Sequence, residues 1–344
     1  MKMNDVIHKR MIHEDFVNEL QCGILSDIID LVNGYQDDQG QPVLYMAFRG
    51  SYINIYFHSH VVFHISRKDN GNRYRISFDF NHARFSPEYK EDLKTLQEYG
   101  WRLPAGRTEI IKNDAIKGTK SSGNNQISLD ICRKETQTSD YLRESCQILL
   151  RLMRDFFDVS KTRDYFTIPE KEICVNYAEK DRQQKIAMAN RFCRSGLYIY
   201  DIEYRDPEKC QTKGRYDMLA VQIDSDGVAR SLLFLELKTN GKSCEGASGV
   251  DDHRCDMKEY LARKDLIDQR IQDCRNIFAA YHRLGILEDE IRFGDELCVC
   301  SYFLFTDTAR DYLKKHQNDC ADGISLDAPW VIDPGLISVM RSAR

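Results

Sequence analysis

Several common signatures are missing from this 344-residue chain, and each absence argues against a class of protein. Its 12 cysteines include no C-x-x-C pair, which gives a zinc ribbon or a clustered iron–sulfur site little support. No apolar run approaches membrane-spanning length, and residues 1–5 lead into polar sequence without an apolar signal core. We therefore expect no membrane partner and a reducing, cytoplasmic location, where scattered free thiols are stable.

The chain also lacks a basic charge balance. Its formal net charge is -5, so there is no global electrostatic footprint for nucleic acid. Any groove for nucleic acid must be local. Residues 117–125 are rich in Gly, Ser and Lys, but they lack the G-x-x-x-x-G-K-[ST] order of a phosphate-binding loop, and a flexible loop is predicted there.

The composition is that of an ordinary globular protein, with 42% hydrophobic and 30% charged residues. At 344 residues the chain is longer than one ordinary domain, so two domains are predicted. An amphipathic helix is predicted over 139–157, and residues 158–169 follow it with little apolar periodicity. The predicted domains are therefore 1–158 and 165–344.

The first domain is predicted to be an α+β domain built on an antiparallel meander. A helix is expected over 14–32, and the strands are expected over 45–48, 52–57, 61–66, 74–80 and 127–132. The expected sheet carries basic residues among tyrosines, which suits a nucleic-acid backbone: Arg49, Arg67, Lys68, Arg73 and Arg75. The alternative is that these residues form the solvated face of a one-sided sheet. This domain is expected to select the substrate, a protein partner or a second copy of the chain.

The stretch 215–238 organises the second half of the chain. It consists of two mostly apolar arms around an Asp-Ser-Asp-Gly cluster, which predicts an antiparallel hairpin. Alternate strand residues share a face, so Glu236 and Lys238 point the same way, and pairing across the turn brings Asp217 close to Glu236. Charges in such arms are costly unless they are paired or bound to metal. Adjacent carboxylates favour a cation between them, and oxygen ligands favour Mg²⁺.

This pattern resembles the active-site signature of the PD-(D/E)XK, or restriction-endonuclease-like, nuclease superfamily. The resemblance rests on Asp217, the apolar hairpin and the triplet Glu236-Leu237-Lys238, and it covers roughly residues 165–310, about half of the chain. Tyr216 stands where the motif's name has proline. The triplet of acid, any residue and lysine recurs elsewhere, but only 236–238 closes an apolar strand with an aspartate one hairpin upstream. The alternative is an exposed cross-strand ion pair.

The resemblance implies an α/β sandwich core with the order αβββαβ. Apolar periodicity predicts the same order in the second domain, with a helix over 169–193, strands over 197–204, 215–223, 231–238 and 298–305, and a long helix over 256–284. The Gly- and Ser-rich segment 239–252 is predicted to be a mobile loop beside the site.

The resemblance also implies roles for individual residues. Asp217 and Glu236 are expected to bind Mg²⁺ together with the backbone carbonyl of Leu237, and Lys238 is expected to position or activate the attacking water. Mn²⁺ is the expected substitute ion.

Further residues are expected to assist the reaction or bind substrate. Glu179, on the helix before the sheet, is the expected helical acid, with Glu172 as the alternative. Four cations precede Asp217 and suit a phosphate backbone, although a solvated loop is the other interpretation: Arg205, Lys209, Lys213 and Arg215.

The expected function is that of a metal-dependent nuclease that hydrolyses phosphodiester bonds in nucleic acid, with DNA expected rather than RNA. Two alternatives stay open. One is a catalytically inactive binding or assembly module with a nuclease-like fold, because fold does not fix function. The other is a metal-dependent hydrolase of another phosphate ester.

Overall fold

Two units divide the chain, Met1–Ile168 and Pro169–Arg344. In the part that the computed structural model describes, each unit holds one five-stranded sheet. The described residues are 12–36, 43–57, 60–79, 89–103, 126–133, 139–157, 178–190, 196–205, 215–246, 249–316, 323–325 and 332. The architecture is therefore mixed α+β, as the sequence predicts. Among these residues, none of the helices has the length and apolar character needed to span a membrane.

The sheet of the first unit is an antiparallel meander, which confirms the sequence prediction. Its strands pair in chain order: β1 (Tyr45–Phe48), β2 (Tyr52–Phe57), β3 (His60–Lys68), β4 (Arg73–Asp79) and β5 (Gln126–Cys132). Strand β4 shows the alternation expected of a sheet with one buried face. Tyr74, Ile76 and Phe78 are buried, whereas Arg75 between them reaches solvent.

The single helix predicted over 14–32 is wrong, because two helices occupy that segment. They are α1 (Glu14–Cys22) and α2 (Ser26–Gly34). Gly23 ends α1 in an extended conformation, and the Glu19 carboxylate bends back to accept a hydrogen bond from Ile24 N at 3.0 Å. A Cβ atom at Gly23 would lie 2.1 Å from Glu19 Oε2, so this approach requires glycine. The unit also contains α3 (Lys90–Glu98) and α4 (Ser139–Phe157), the latter as predicted.

The second unit has a mixed sheet in the order β10-β9-β8-β7-β6. Strands β6, β7 and β8 pair antiparallel, whereas β9 is parallel to β8 and to β10. In chain order the elements are α5 (Ala178–Ala189), β6 (Leu197–Arg205), β7 (Arg215–Ile223), β8 (Val228–Lys238), α6 (Val250–Leu261), α7 (Lys264–Arg283), β9 (Arg292–Phe305), α8 (Asp307–Lys315) and β10 (Gly323–Ser325).

The hairpin of β7 and β8 forms the centre of this unit. Residues 231–238 are all buried, as expected for a central strand paired on both sides. The turn is built by Asp224, whose Oδ1 accepts hydrogen bonds from the backbone N–H groups of Asp226 and Val228, each at 2.9 Å. Gly227 follows with a φ of 72°, a left-handed conformation that glycine adopts readily.

After β8, the single helix predicted over 256–284 is wrong, and the loop predicted over 239–252 is wrong at its end. The helix predicted over 256–284 is two helices, α6 and α7, because Arg263 between them leaves the helical region with a ψ of 85°. The loop predicted over 239–252 contains a 3-10 helix (Gly241–Cys244), capped reciprocally by Asn240 and Ser243, and α6 already begins at Val250. The earlier start of α6 places His253 in its first turn.

Candidate active site

Asp217 and Glu236 lie on the paired strands β7 and β8, each one residue beyond the last pair of the ladder, Met218 and Leu235. The observed register joins Met218 to Leu235, and one further step along the two antiparallel strands sets Asp217 opposite Glu236. The hairpin thus brings together the two carboxylates that the sequence pattern singles out.

Glu236 is held through one of its two oxygens. Its Oε1 is 3.2 Å from Lys238 Nζ and 2.5 Å from His253 Nδ1, although the residue is only 5% exposed. Lys238 Nζ donates a hydrogen bond to Oε1, and the imidazole of His253 lies within ion-pair distance of the same oxygen. No hydrogen bond to Oε2 is found among the residues described. Both recorded side-chain contacts of Glu236 are therefore made through Oε1.

Asp217 is held by a side-chain amide and by backbone. Gln183 Nε2 donates to Oδ1 at 2.9 Å, and the Leu237 N–H donates to Oδ2 at 2.6 Å. The Leu237 contact also fixes the Asp217 side chain to the strand that carries Glu236.

Gln183 is the residue beside Asp217 that sequence reasoning missed. Since the carboxylate only accepts, the amide must present its NH₂ group to Asp217, which turns its carbonyl oxygen the other way. That oxygen, Oε1, is buried and has no hydrogen-bond partner in the described part of the chain. An unsatisfied buried acceptor costs about 1–3 kcal/mol, and a cation or its bound water would satisfy it.

Lys238 is buried beside Glu236, with 3% of its surface exposed. Its Nζ lies 5.9 Å from the centre of the Phe303 ring on β9. The end of β8 is fixed as well, because Thr306 N donates to the Lys238 carbonyl at 3.1 Å and Thr306 Oγ1 donates to the Thr239 carbonyl at 2.8 Å. Burial raises the pKa of the nearby Cys244 thiol, although the Lys238 charge opposes the shift, so this thiol is neutral at pH 7.

A third acid lies in register with this pair. Ile202 pairs with Met218 and Tyr204 with Tyr216, so Glu203 on β6 falls opposite Asp217. Glu203 has a φ of 51°, a left-handed conformation that costs a non-glycine residue on the order of 1 kcal/mol. The strand is thus strained at the point nearest the site.

The other predicted residues differ in how far the structure describes them. Glu179 lies in the first turn of α5, four residues before Gln183, and its side chain is outside the described part. Arg215 is exposed at the start of β7, close in sequence to Asp217. The remaining candidates are outside the described residues: Glu172, Lys209 and Lys213.

The basic residues of the first sheet are largely occupied by partners within their own unit. Arg67 donates to both oxygens of Asp15, and Arg75 donates to both oxygens of Asp130 at 2.8 and 3.0 Å. Arg49 is buried and donates to the Tyr56 hydroxyl at 2.9 Å. These contacts favour a structural role over display to a phosphate backbone.

The donor set fits a hard divalent cation. Asp217, Glu236 and Gln183 supply carboxylate and amide oxygens, which are the ligands that Mg²⁺ and Mn²⁺ prefer. Among the residues described, no group of three or more His, Cys, Asp or Glu side chains is placed to bind a metal. A metal here would therefore use the two carboxylates with amide, backbone or water oxygens.

Comparison with known proteins identifies no relative of this chain, so the site is interpreted from its residues alone. No protein-family model matches the chain, and no curated protein and no solved structure matches it significantly.

Proposed function

We propose that this protein is a metal-dependent nuclease that hydrolyses phosphodiester bonds in DNA, with a restriction-endonuclease-like core in its second unit. The observation that carries the proposal is the state of Glu236. It is buried opposite Asp217, with Oε1 held by Lys238 and His253 and Oε2 left open. A buried carboxylate in this state suits a cation that is held in place by protein.

The order of elements in the second unit supports the same proposal. The unit begins with a helix, α5, which is followed by three antiparallel strands, β6 to β8. A second helical segment, broken into α6 and α7, then leads to β9, which is parallel to β8. Apart from that break, this is the αβββαβ order that the resemblance to the superfamily implies. The three motif residues lie at the ends of β7 and β8, where such a core has its site.

In this proposal Asp217 and Glu236 bind Mg²⁺, with Mn²⁺ as a substitute and the Leu237 carbonyl as a further ligand. When bound, the ion neutralises charge on the phosphate and lowers the pKa of a bound water. Lys238 keeps Glu236 in place and orients the attacking water. Gln183 fixes Asp217 and offers Oε1 to the ion or to one of its waters.

Substrate contacts are proposed for the cations that precede Asp217. Arg215 is exposed at the start of β7, and Lys209 and Lys213 come just before it in the chain. They would bind the phosphate backbone, and Glu179, in the first turn of α5, would assist at the ion.

The test is cleavage of mixed DNA and RNA substrates with Mg²⁺ or Mn²⁺ by the full chain. Glu236→Ala and Lys238→Ala should each lower the cleavage rate at least about 10²-fold, because the first removes a ligand of the ion and the second removes the group that orients the attacking water. Glu259→Ala and Lys258→Ala, exposed on α6, are the matched controls and should leave it unchanged.

The pattern of results separates the alternatives. Metal-dependent cutting of polymers that both substitutions abolish supports the proposal. Activity on small phosphodiesters without activity on polymers supports the hydrolase of another phosphate ester. Binding of metal and nucleic acid without any cutting supports the inactive module, and cutting that survives both substitutions would show that the active site is elsewhere.

A further inference from the structure

The contact between His253 and Glu236 has no counterpart in the motif, and it determines which oxygen of Glu236 can meet a cation. His253 lies in the first turn of α6, where its backbone N–H donates to the Gly249 carbonyl at 3.2 Å. Its ring reaches back to the end of β8 and is 24% exposed, while the Glu236 side chain is 7% exposed. Helix α6 thus places the His253 imidazole beside the Glu236 carboxylate of β8.

Two donors meet on the same oxygen. Lys238 Nζ and His253 Nδ1 both approach Oε1, at 3.2 and 2.5 Å. Two donors use the two lone-pair directions of one carboxylate oxygen, so Oε1 has no capacity left for a cation. Lys238 alone would leave the carboxylate free to rotate or to chelate through both oxygens.

We propose that His253 is a positioning residue of the metal site, which donates its Nδ1–H to Glu236 Oε1 and so presents Oε2 alone to a divalent cation. The inference rests on the proposed function, because it requires a cation at Glu236. Groups that orient a metal ligand in this way typically contribute 10- to 100-fold, as a rough measure, to metal affinity or activity.

Substitutions of His253 by Asn, Gln and Leu test whether an N–H donor at the position of Nδ1 is required. His253→Asn places an amide N–H close to where Nδ1 lies, His253→Gln carries its amide further out, and His253→Leu has no donor. His282→Leu, at an exposed position near the end of α7, is the matched control. All variants are made in the full chain, and their melting temperatures without metal are compared first.

The primary measurement is Mn²⁺ binding, followed by the electron paramagnetic resonance signal of the free ion. We expect His253→Leu and His253→Gln to weaken binding about 10- to 100-fold, and His253→Asn and His282→Leu to remain close to wild type. In cleavage assays, His253→Leu should raise the metal concentration needed for half-maximal rate while KM for DNA is unchanged. A merely structural role would lower the melting temperature without this pattern.

Three outcomes would overturn the inference. If His253→Leu binds Mn²⁺ as wild type does while Glu236→Ala does not, the proposed function stands and the role of His253 is wrong. If His253→Asn is as weak as His253→Leu, the Nδ1 donation does not explain the effect. If the wild type binds no Mn²⁺ at all, both the inference and the proposed function fail.

Discussion

The two sheets of this protein carry their charges in opposite ways. In the first unit, Arg75 and Asp130 form a bidentate pair in which the arginine side chain is 38% exposed and the aspartate 9%, and Arg102 lies 3.2 Å from the same carboxylate. In the second unit, Glu236 and Lys238 are almost fully buried, and the carboxylate accepts its hydrogen bonds on one oxygen only. Both oxygens of Asp130 accept hydrogen bonds, whereas Glu236 Oε2 has none among the described residues.

This difference shows which charges have a structural role and which suit a chemical one. A surface pair contributes little and needs no further partner. A buried pair usually costs more in desolvation than it returns, so it is weak evidence for stability. Glu236 and Lys238 are therefore better explained by a ligand than by folding, and the following predictions test that distinction.

The largest effect is expected from removing one member of the buried pair. Lys238→Met leaves Glu236 buried with only His253 as a side-chain donor, so it should destabilise the protein by about 3–5 kcal/mol in urea unfolding. The double variant Glu236→Leu with Lys238→Met removes both charges and should recover most of that stability without recovering cleavage. A double variant as unstable as the single one would mean that the pair stabilises the fold.

A smaller effect is expected at Gln183. Gln183→Leu removes the donor to Asp217 Oδ1 and should cost about 1–3 kcal/mol without metal. Gln183→Glu sets a second carboxylate beside Asp217, so it should lower the melting temperature of the metal-free protein and tighten Mn²⁺ binding. Tighter binding from Gln183→Leu instead would contradict the position of the ion next to this amide.

The surface pair of the first unit should depend on pH in a defined direction. The Arg75 hydrogen bond holds the pKa of Asp130 below its usual value of 3.8. A lowered carboxyl pKa means that the unfolded state binds more protons, so this stability is present above about pH 4 and is lost as pH falls through the folded pKa. Arg75→Met should cost at most about 1 kcal/mol at pH 7, and wild type and variant should converge in acid. Cleavage should not change.

The smallest effect is a difference in thiol labelling between the two units. Burial raises the pKa of Cys146 in the first unit and of Cys274 in the second, so both thiols should react only when their unit opens. Exposed Cys22, Cys255 and Cys298 should react first. Lys238→Met should accelerate labelling of Cys274 more than that of Cys146, as mass spectrometry of labelled peptides would show. Equal acceleration would mean that the units do not open separately.

Much of the fold could be predicted from the sequence because it depends on short-range patterns. Alternation marks β4, and a long apolar stripe marks α4. The β7–β8 hairpin has strong turn chemistry at Asp224 and Gly227. The helix breaks at Gly23 and Arg263 could not be predicted, since neither position interrupts the apolar periodicity.

The candidate site could be predicted only where residues share the hairpin. Asp217, Glu236 and Lys238 are linked by strand period and register. Gln183 and His253 lie on separate helices, and their contacts depend on how those helices pack. Gln183, Gln184 and Lys185 are all buried in α5. Polar residues in a helix are usually exposed, so the sequence does not show that these three are buried.

The most direct test of the central claim is the position of Mn²⁺ in crystals of the full chain, found by anomalous diffraction. We predict an ion about 2.1 Å from Glu236 Oε2 and from an oxygen of Asp217, with Lys238 and His253 still on Oε1. An ion bound elsewhere, or no ion at millimolar Mn²⁺ with Glu236 and Lys238 still paired, would contradict a metal-dependent site at this hairpin.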